Sequence, residues 1–170
     1  MQSFRISDLD YKLKWLIGIF LVVLSIGFYT GISFVDHTTS MQPKGIEENY
    51  LGNEDNEAAE EMKFMKSEYE MKSILHTHFL SLSVVFLIIG FFVFGCEMPY
   101  RLKSFLMIEP MLSVLFTFGG IYLVWKGLPY ISYIVMISGI LMTISYSLSI
   151  VLIVKALFKR STDQKDYITA

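Results

Sequence analysis

Four apolar runs dominate this sequence, and each is long enough to cross a lipid bilayer as a single helix. They cover residues 13–35, 79–95, 104–125 and 130–154. A hydrocarbon core of roughly 30 Å takes about 20 helical residues. The mean hydropathy of +0.52 is also well above that of an ordinary soluble domain. We therefore predict an all-α membrane protein, a bundle of four transmembrane helices in which residues 1–170 form a single membrane domain.

The positive charges predict how the spans are oriented, because short cytoplasmic flanks of membrane proteins retain Lys and Arg. Basic residues cluster before the first span, between the second and third spans, and after the fourth span: Arg5, Lys12, Lys14, Arg101, Lys103, Lys155, Lys159, Arg160 and Lys165. We therefore expect a multi-pass protein with both termini in the cytoplasm. The connection between the first two spans is then extracytoplasmic.

This first connection, residues 36–73, is called the cap below. It holds ten acidic residues against four lysines, which argues against nucleic-acid binding. Pro43, Gly45 and Gly52 predict a folded-back loop for its first half. An N-cap at Asn56, followed by three glutamates and no Gly or Pro, predicts a helix for its second half. The cap is thus expected to be a loop plus a helical extension of the second span.

Three histidines lie where the cap meets the first two spans. His37 follows the first span, and His76 and His78 precede the apolar part of the second span. Antiparallel neighbours bring all three to one membrane level, and imidazole is a good ligand for haem iron, copper or zinc. We therefore treat them as candidate ligands of haem b or another metal. The alternatives are proton handling and an ordinary interfacial position that needs no ligand.

The spacing of the histidine pair limits what it can bind. On a helix, His76 and His78 point about 200° apart, so at most one of them faces the bundle core. Met62 and Met65 add soft thioether ligands that suit copper(I), and on a helix they share a face with His76. Methionine also packs as an ordinary flexible hydrophobe, which is the alternative.

Glu109 is the acidic residue expected inside the third span. Charge in hydrocarbon is costly, so an intramembrane acid is either paired or functional. Lys155, near the end of the fourth span, is the partner that we predict for an intramembrane charge pair, and Arg101 or Lys103 could also reach Glu109. Proton or ion passage is the alternative role for Glu109.

Small residues of the spans predict close helix packing. Gly27 and Gly31 form a small-xxx-small pair in the first span, and three glycines allow the third and fourth spans to approach each other: Gly119, Gly120 and Gly139. The serines of the fourth span are expected to bond their own helix backbone rather than to form a polar stripe: Ser145, Ser147 and Ser149.

The common catalytic motifs are absent from the sequence. It contains no phosphate-binding glycine loop, no HExxH element, no Gly-x-Ser-x-Gly elbow and no CxxCH haem-attachment site. The single cysteine, Cys96, allows no intramolecular disulfide. No catalytic residue is predicted, and we expect a non-catalytic protein.

The cap carries motifs that resemble those of a family of small bacterial four-span inner-membrane proteins. The family pattern is close to G-I-x-E-H-Y-x-G-N, then M-K-F-P-K-S, then H-x-H. This chain has GIEENYLGN at 45–53, MKFMKS at 62–67 and HTH at 76–78. The resemblance implies a bacterial inner (cytoplasmic) membrane protein, and it implies no particular activity.

The same resemblance marks four residues as part of a motif on the cap: Tyr50, Gly52, Asn53 and Lys63. Asn49 stands where the family pattern has histidine, which removes one candidate ligand beside Tyr50. The motif and the three histidines of this chain fall on the same side of the membrane.

The expected function is that of an integral membrane component of a larger complex. Its cap would dock a protein partner in the membrane or periplasm, or a second copy of the chain, and could hold a haem or metal through a histidine. Function does not follow from a four-helix architecture alone. The alternative is a small membrane redox protein using haem or copper, or a proton-handling transport protein.

Overall fold

The computed structural model describes residues 4–54, 56 and 61–159. Its α-helices are α1 (Tyr11–Thr39), α2 (Pro43–Leu51), α3 (Glu68–Phe94), α4 (Tyr100–Trp125) and α5 (Ser132–Leu157). The helices α1, α3, α4 and α5 are long and apolar enough to cross a membrane, whereas α2 belongs to the cap. The predicted all-α bundle with four spans is confirmed, and its outward apolar side chains contact the lipid bilayer.

Polar and aromatic contacts between spans hold the bundle together. Lipid tails are as apolar as leucine, so the hydrophobic effect alone does not drive membrane helices against one another. The helix α4 packs along both α3 and α5. The helix α1 joins α5 through Tyr146, whose ring stacks on Phe28 with centroids 3.9 Å apart and whose hydroxyl lies 3.0 Å from Ser25 Oγ.

The contact between α4 and α5 is close because of one glycine. A Cβ added at Gly120 would lie 2.6 Å from Val135 Cγ2, so only glycine allows this approach. Nearby, the hydroxyls of Thr117 and Ser138 are hydrogen-bonded at 2.8 Å. The other glycines expected at packing faces have nothing within 4 Å of an added Cβ, so that expectation was wrong for Gly27, Gly31, Gly119 and Gly139.

The end of the bundle opposite the cap is tied together by the segment that precedes α1. Ile6 is fully buried there, and its N–H donates to the Gly95 carbonyl at 3.0 Å. Glu97 forms ion pairs with Arg5 at 3.2 Å and with Lys159 at 2.9 Å. These contacts join the segment before α1, the α3–α4 connection and the end of α5.

The first half of the cap is a helix, α2, and the predicted folded-back loop was wrong. Pro43 lies in the first turn of α2, where its missing N–H costs no helical hydrogen bond. Gly45 lies against the end of α1, where an added Cβ would overlap the Thr39 carbonyl oxygen. Gly52 ends α2 with φ +87°, a backbone conformation that favours glycine.

Within the described residues, the second half of the cap is helical only from Glu68, later than an N-cap at Asn56 predicted. Residues 61–67 are not helical, and α3 begins only at Glu68, after a capping box formed by Ser67 and Glu70. The predicted first turn at 57–60 lies outside the described residues. Because α3 begins at Glu68, Met62 and Met65 do not share a helix face with His76.

The contact of Gly45 with Thr39 can be tested by adding one methyl group. We expect Gly45→Ala to lower the free energy of unfolding by about 1–3 kcal/mol, the usual cost of overpacking, and to expose the cap to proteases. Gly27→Ala is the control, because Gly27 is also helical and has open space around it. It should be neutral or slightly stabilising. Reversible unfolding in mixed micelles measures both, and equal effects of the two substitutions would contradict the contact.

Candidate functional site

Asn53 joins the end of α2 to the returning chain by three hydrogen bonds. Its N–H donates to the Lys63 carbonyl at 2.9 Å, and its Oδ1 accepts from the Lys63 N–H at 2.6 Å. Its Nδ2 donates to the Glu61 carbonyl at 2.9 Å. Gly52 pairs with Phe64 in the adjacent antiparallel bridge, where an added Cβ would lie 2.8 Å from the Met65 nitrogen.

The Lys63 side chain attaches the segment that pairs with Gly52 and Asn53 to α1. Its ammonium donates to the Thr38 carbonyl at 2.8 Å. The last carbonyls of a helix lack intrahelical donors and carry the negative end of the helix dipole, so a cation is favourable there. The half-buried Lys63 thus binds the end of α1.

Two further hydrogen bonds attach the cap to α4 and α5. Trp125, at the end of α4, donates its indole N–H to the Lys66 carbonyl at 2.7 Å. Ser132, at the start of α5, donates its hydroxyl to Glu47 Oε1 at 2.7 Å. Neither contact was predicted from the sequence. Each contact joins positions far apart in the chain. The one indication in the sequence was Trp125, an aromatic residue with a polar N–H at the end of a span.

Tyr50 packs between α2 and the bundle, and this burial raises the pKa of its hydroxyl to about 12. A side-chain hydrogen bond with Asn49, the residue that stands in place of the family's histidine, opposes part of that rise. The backbone carbonyl of Tyr50 accepts from the Lys66 N–H at 3.2 Å. Tyr50, like Gly52, Asn53 and Lys63, therefore contributes to holding the cap in place.

The structure places His76 and His78 on different sides of α3. His78 is half-buried: its ring stacks on Phe118 of α4 with centroids 4.5 Å apart, and its Nδ1–H donates to the Ile74 carbonyl at 2.8 Å. His76 is exposed, as is His37 in the last turn of α1. The Nδ1 hydrogen bond leaves Nε2 as the His78 nitrogen with a lone pair.

The three histidines are not gathered into one site. Across residues 4–54, 56 and 61–159, no group of three or more His, Cys, Asp or Glu side chains is placed to hold a metal ion. Met62 and Met65 are exposed in the non-helical segment before α3. Ligation of haem b or copper by these residues stays a prediction from the sequence.

Glu109 lies within α4, one residue before Pro110. Its Oε1 accepts a hydrogen bond from the Ser113 hydroxyl, one turn further along the same helix. Its Oε2 is buried and has no hydrogen-bond partner among the described residues. A membrane-embedded carboxylate with one unsatisfied oxygen is unusual, because buried polar atoms are nearly always paired.

Lys155 is not the partner of this carboxylate in the structure. Among the ion pairs of the described residues, none joins Glu109 to Lys155. The hydrogen bond between Thr117 and Ser138 aligns the antiparallel helices, which places Tyr146 opposite Glu109. Lys155 lies nine residues further along α5, about 13 Å away along the helix axis. It is exposed there and borders a cleft beside Glu97 and Lys159.

Comparison with known families identifies the class of protein. Residues 40–164 match the family model of Aq_1264_TM, which is described as a transmembrane helical domain. This chain belongs to that family. The match begins immediately after α1 and includes the cap from residue 40 onward, α3, α4 and α5. Comparisons with curated proteins and with solved structures give no match.

The ammonium contact of Lys63 can be tested against a lysine on the surface of the same cap. We expect Lys63→Met to lower the free energy of unfolding by about 1–2 kcal/mol, because the Thr38 carbonyl loses a charged donor. Lys44→Met is the control, since the exposed Lys44 pairs only loosely with Glu48 at 3.8 Å. Unfolding curves measure both variants. A loss for Lys44→Met as large as that for Lys63→Met would contradict the role of Lys63.

The buried hydroxyl of Tyr50 predicts a loss of stability at high pH. The unfolded chain ionises this group near 10, whereas the folded chain retains the proton to about 12. The contribution of this hydroxyl to the free energy of unfolding is therefore fully present below pH 10 and is lost as the pH rises toward 12. Tyr50→Phe should show a smaller fall in unfolding midpoint between about pH 8 and about pH 11 than the parent. An identical fall in both proteins would contradict burial of this hydroxyl.

Proposed function

We propose that this membrane protein is a non-catalytic component of a larger complex, and that its cap docks an extracytoplasmic protein partner. The observation that carries the proposal is an apolar surface on a polar, firmly held segment. Four large side chains of the cap are at least half exposed: Met62, Phe64, Met65 and Tyr69. We call this set the cap patch. Exposed apolar groups concentrated in one short segment outside the lipid are typical of binding sites for partners.

The cap patch is held in a fixed position relative to the bundle. Phe64 lies in the bridge with Gly52, and the neighbouring Lys66 carbonyl accepts the Trp125 indole N–H. Tyr69 lies in the first turn of α3, between Ser67 and Glu70 of the capping box. Ordering this segment therefore costs little when a partner binds, which is the advantage of a preorganised docking surface.

The charges around the cap patch favour a protein partner over lipid headgroups. The cap as a whole is acidic, with ten acidic residues against four lysines. Beside the patch, Glu61 is exposed, whereas Glu68 and Glu70 pair with Lys72 and Lys66. Anionic headgroups are repelled by the net negative charge of the cap, whereas a protein with an apolar centre and basic surroundings is complementary to it. The expected partner thus presents Lys or Arg around an apolar contact.

The orientation in this proposal follows the distribution of basic residues. Arg5, Arg101 and Lys103 lie at the end of the bundle opposite the cap, together with the basic end of α5. Short flanks rich in Lys and Arg face the cytoplasm. The cap would accordingly face the periplasm of a bacterial inner membrane, with both termini in the cytoplasm.

The alternative function, a redox protein with a histidine-ligated haem or metal, has less structural support than the docking of a partner by the cap. His78 offers Nε2 as a single ligand atom, and neither His37 nor His76 packs against it in the described contacts. The redox alternative therefore lacks the set of convergent ligands that such a site uses. Docking by the cap rests on exposed side chains that need no cofactor.

Site-directed photocrosslinking in cells tests the docking proposal. A benzophenone amino acid in place of Phe64 should form a heteromeric adduct of discrete mass with an extracytoplasmic protein. The same probe at Tyr130 is the matched control, because Tyr130 is equally exposed at the same end of the bundle but lies outside the cap. It should form little or none of this adduct.

Charge reversal distinguishes specific docking from random capture. Glu61→Lys together with Glu68→Lys should reduce the Phe64 adduct several-fold, because a basic partner is then repelled. A product with the mass of two copies of this chain would replace the proposal with homo-oligomerisation. Adducts with lipid alone, or adducts insensitive to charge reversal, would overturn it.

A further inference from the structure

A group of unsatisfied polar atoms lies inside the membrane-spanning part of the bundle. Within the part of the chain that the structure describes, the buried side-chain oxygens without a hydrogen-bond partner are Glu109 Oε2, Ser145 Oγ and Ser149 Oγ. Ser145 and Ser149 are only 1% and 0% exposed. Serine in a membrane helix ordinarily bonds a carbonyl one turn back, as Ser147 does with Thr143 at 2.6 Å. The expectation that all three serines bond their own backbone was therefore wrong for Ser145 and Ser149.

Both serines face α4. Ser138 defines this face, because its hydroxyl bonds Thr117 of α4. Ser145 and Ser149 follow Ser138 by seven and eleven residues, which returns each side chain to within about 20° of the same direction. Their hydroxyls thus point into the interface between α4 and α5.

The same alignment brings the serines to the level of Glu109. Glu109 precedes Thr117 by eight residues on α4. Because α5 runs antiparallel, the residue at the same level on α5 follows Ser138 by eight residues and is Tyr146. Ser145 lies next to this level, and Ser149 lies about one turn beyond it. Glu109 Oε1 is already fixed by the Ser113 hydroxyl, which leaves Oε2 for another partner.

Pro110 adds one further oxygen to this group. Proline has no N–H, so the Leu106 carbonyl lacks its usual helical donor four residues later. Leu106 lies on α4 at the level of Ser149 and is buried. A broken helical hydrogen bond next to an acid is a feature of ion sites in membrane proteins, where freed carbonyls act as ligands.

We propose that the α4–α5 interface contains a binding site for one small monovalent cation, Na⁺ or a proton, with Glu109 as the charged ligand. The donor set consists of oxygen atoms, which suit hard cations. It carries one negative charge, and its other members are neutral: Ser113, Ser145, Ser149 and the Leu106 carbonyl. One bound monovalent cation neutralises the carboxylate in hydrocarbon without a basic side chain. This site is independent of the docking proposal.

Carbodiimide labelling of the purified full chain in lipid nanodiscs tests the site. Hydrophobic carbodiimides react with protonated carboxyl groups in apolar surroundings, and peptide mass spectrometry locates the adduct. We expect Glu109 to be labelled and the labelling to fall as the pH rises. If Na⁺ is the ligand, NaCl should protect Glu109 while choline chloride at equal ionic strength does not. If the ligand is a proton, pH alone should control labelling.

The two serines are tested as a pair against a matched serine. In Ser145→Ala with Ser149→Ala, the Na⁺ concentration for half-protection should rise roughly tenfold or more, or the pH profile should shift, because neutral ligands are lost. Ser147→Ala is the control, because Ser147 bonds Thr143 and the hydroxyl of Tyr29 rather than facing α4. It should behave as the parent. Size-exclusion profiles confirm that each variant is folded.

Two results would overturn the proposal. One is that Glu109 in the folded parent is not labelled at any pH. The other is that the labelling of Glu109 and its dependence on pH and Na⁺ are unchanged in the double serine variant. Glu97 serves as an internal reference, because it is exposed and paired with Arg5 and Lys159. Its labelling should not respond to Na⁺ beyond the effect of ionic strength.

Discussion

The hydrogen bond between the hydroxyls of Thr117 and Ser138 sets the alignment of α4 and α5, and the positions of the polar groups in the bundle depend on it. In lipid, where apolar surface gives no preference for one alignment over another, a polar contact and a glycine can decide it. Gly120 allows the two helices to approach at this point. The alignment then places Tyr146, rather than Lys155, opposite Glu109, and this explains why the acid has no basic partner among the described residues.

The spans could be predicted from the sequence, but the cap could not. Hydropathy and length are sufficient for a span because the bilayer imposes both. In the cap, Pro43 and Gly45 suggested a loop, yet one lies in the first turn of α2 and the other makes room for the Thr39 carbonyl. That second role depends on a contact with α1 that no local pattern reveals. The start of α3 was predicted at Asn56, although Ser67 and Glu70 have the spacing of a capping box and mark the observed start.

For the candidate site residues too, some properties could be predicted from the sequence and others depend on contacts between helices. Helical geometry correctly separated the directions of His76 and His78, but only the position of Phe118 on α4 shows that His78 is the one that packs inward. The acid at 109 was recognisable as unusual from its place in an apolar run. Ser145 and Ser149, whose hydroxyls have no partner within the described part of the chain, were not recognisable, because a serine that bonds its own helix and one that does not look identical in sequence.

The alignment of α4 and α5 places the proposed cation site nearer to the end of the bundle opposite the cap. Toward the cap, the path along α4 from Glu109 to Trp125 is about 24 Å long, and the contact of Gly120 with Val135 closes the interface on the way. Toward the opposite end, Tyr100 is only about 13 Å away, and a cleft of 150 Å³ lies beside Lys155 at that end. In the proposed site, a small cation would therefore enter from the end opposite the cap. Partner docking and cation entry then use opposite ends of the bundle, so a partner bound to the cap would not obstruct the cation.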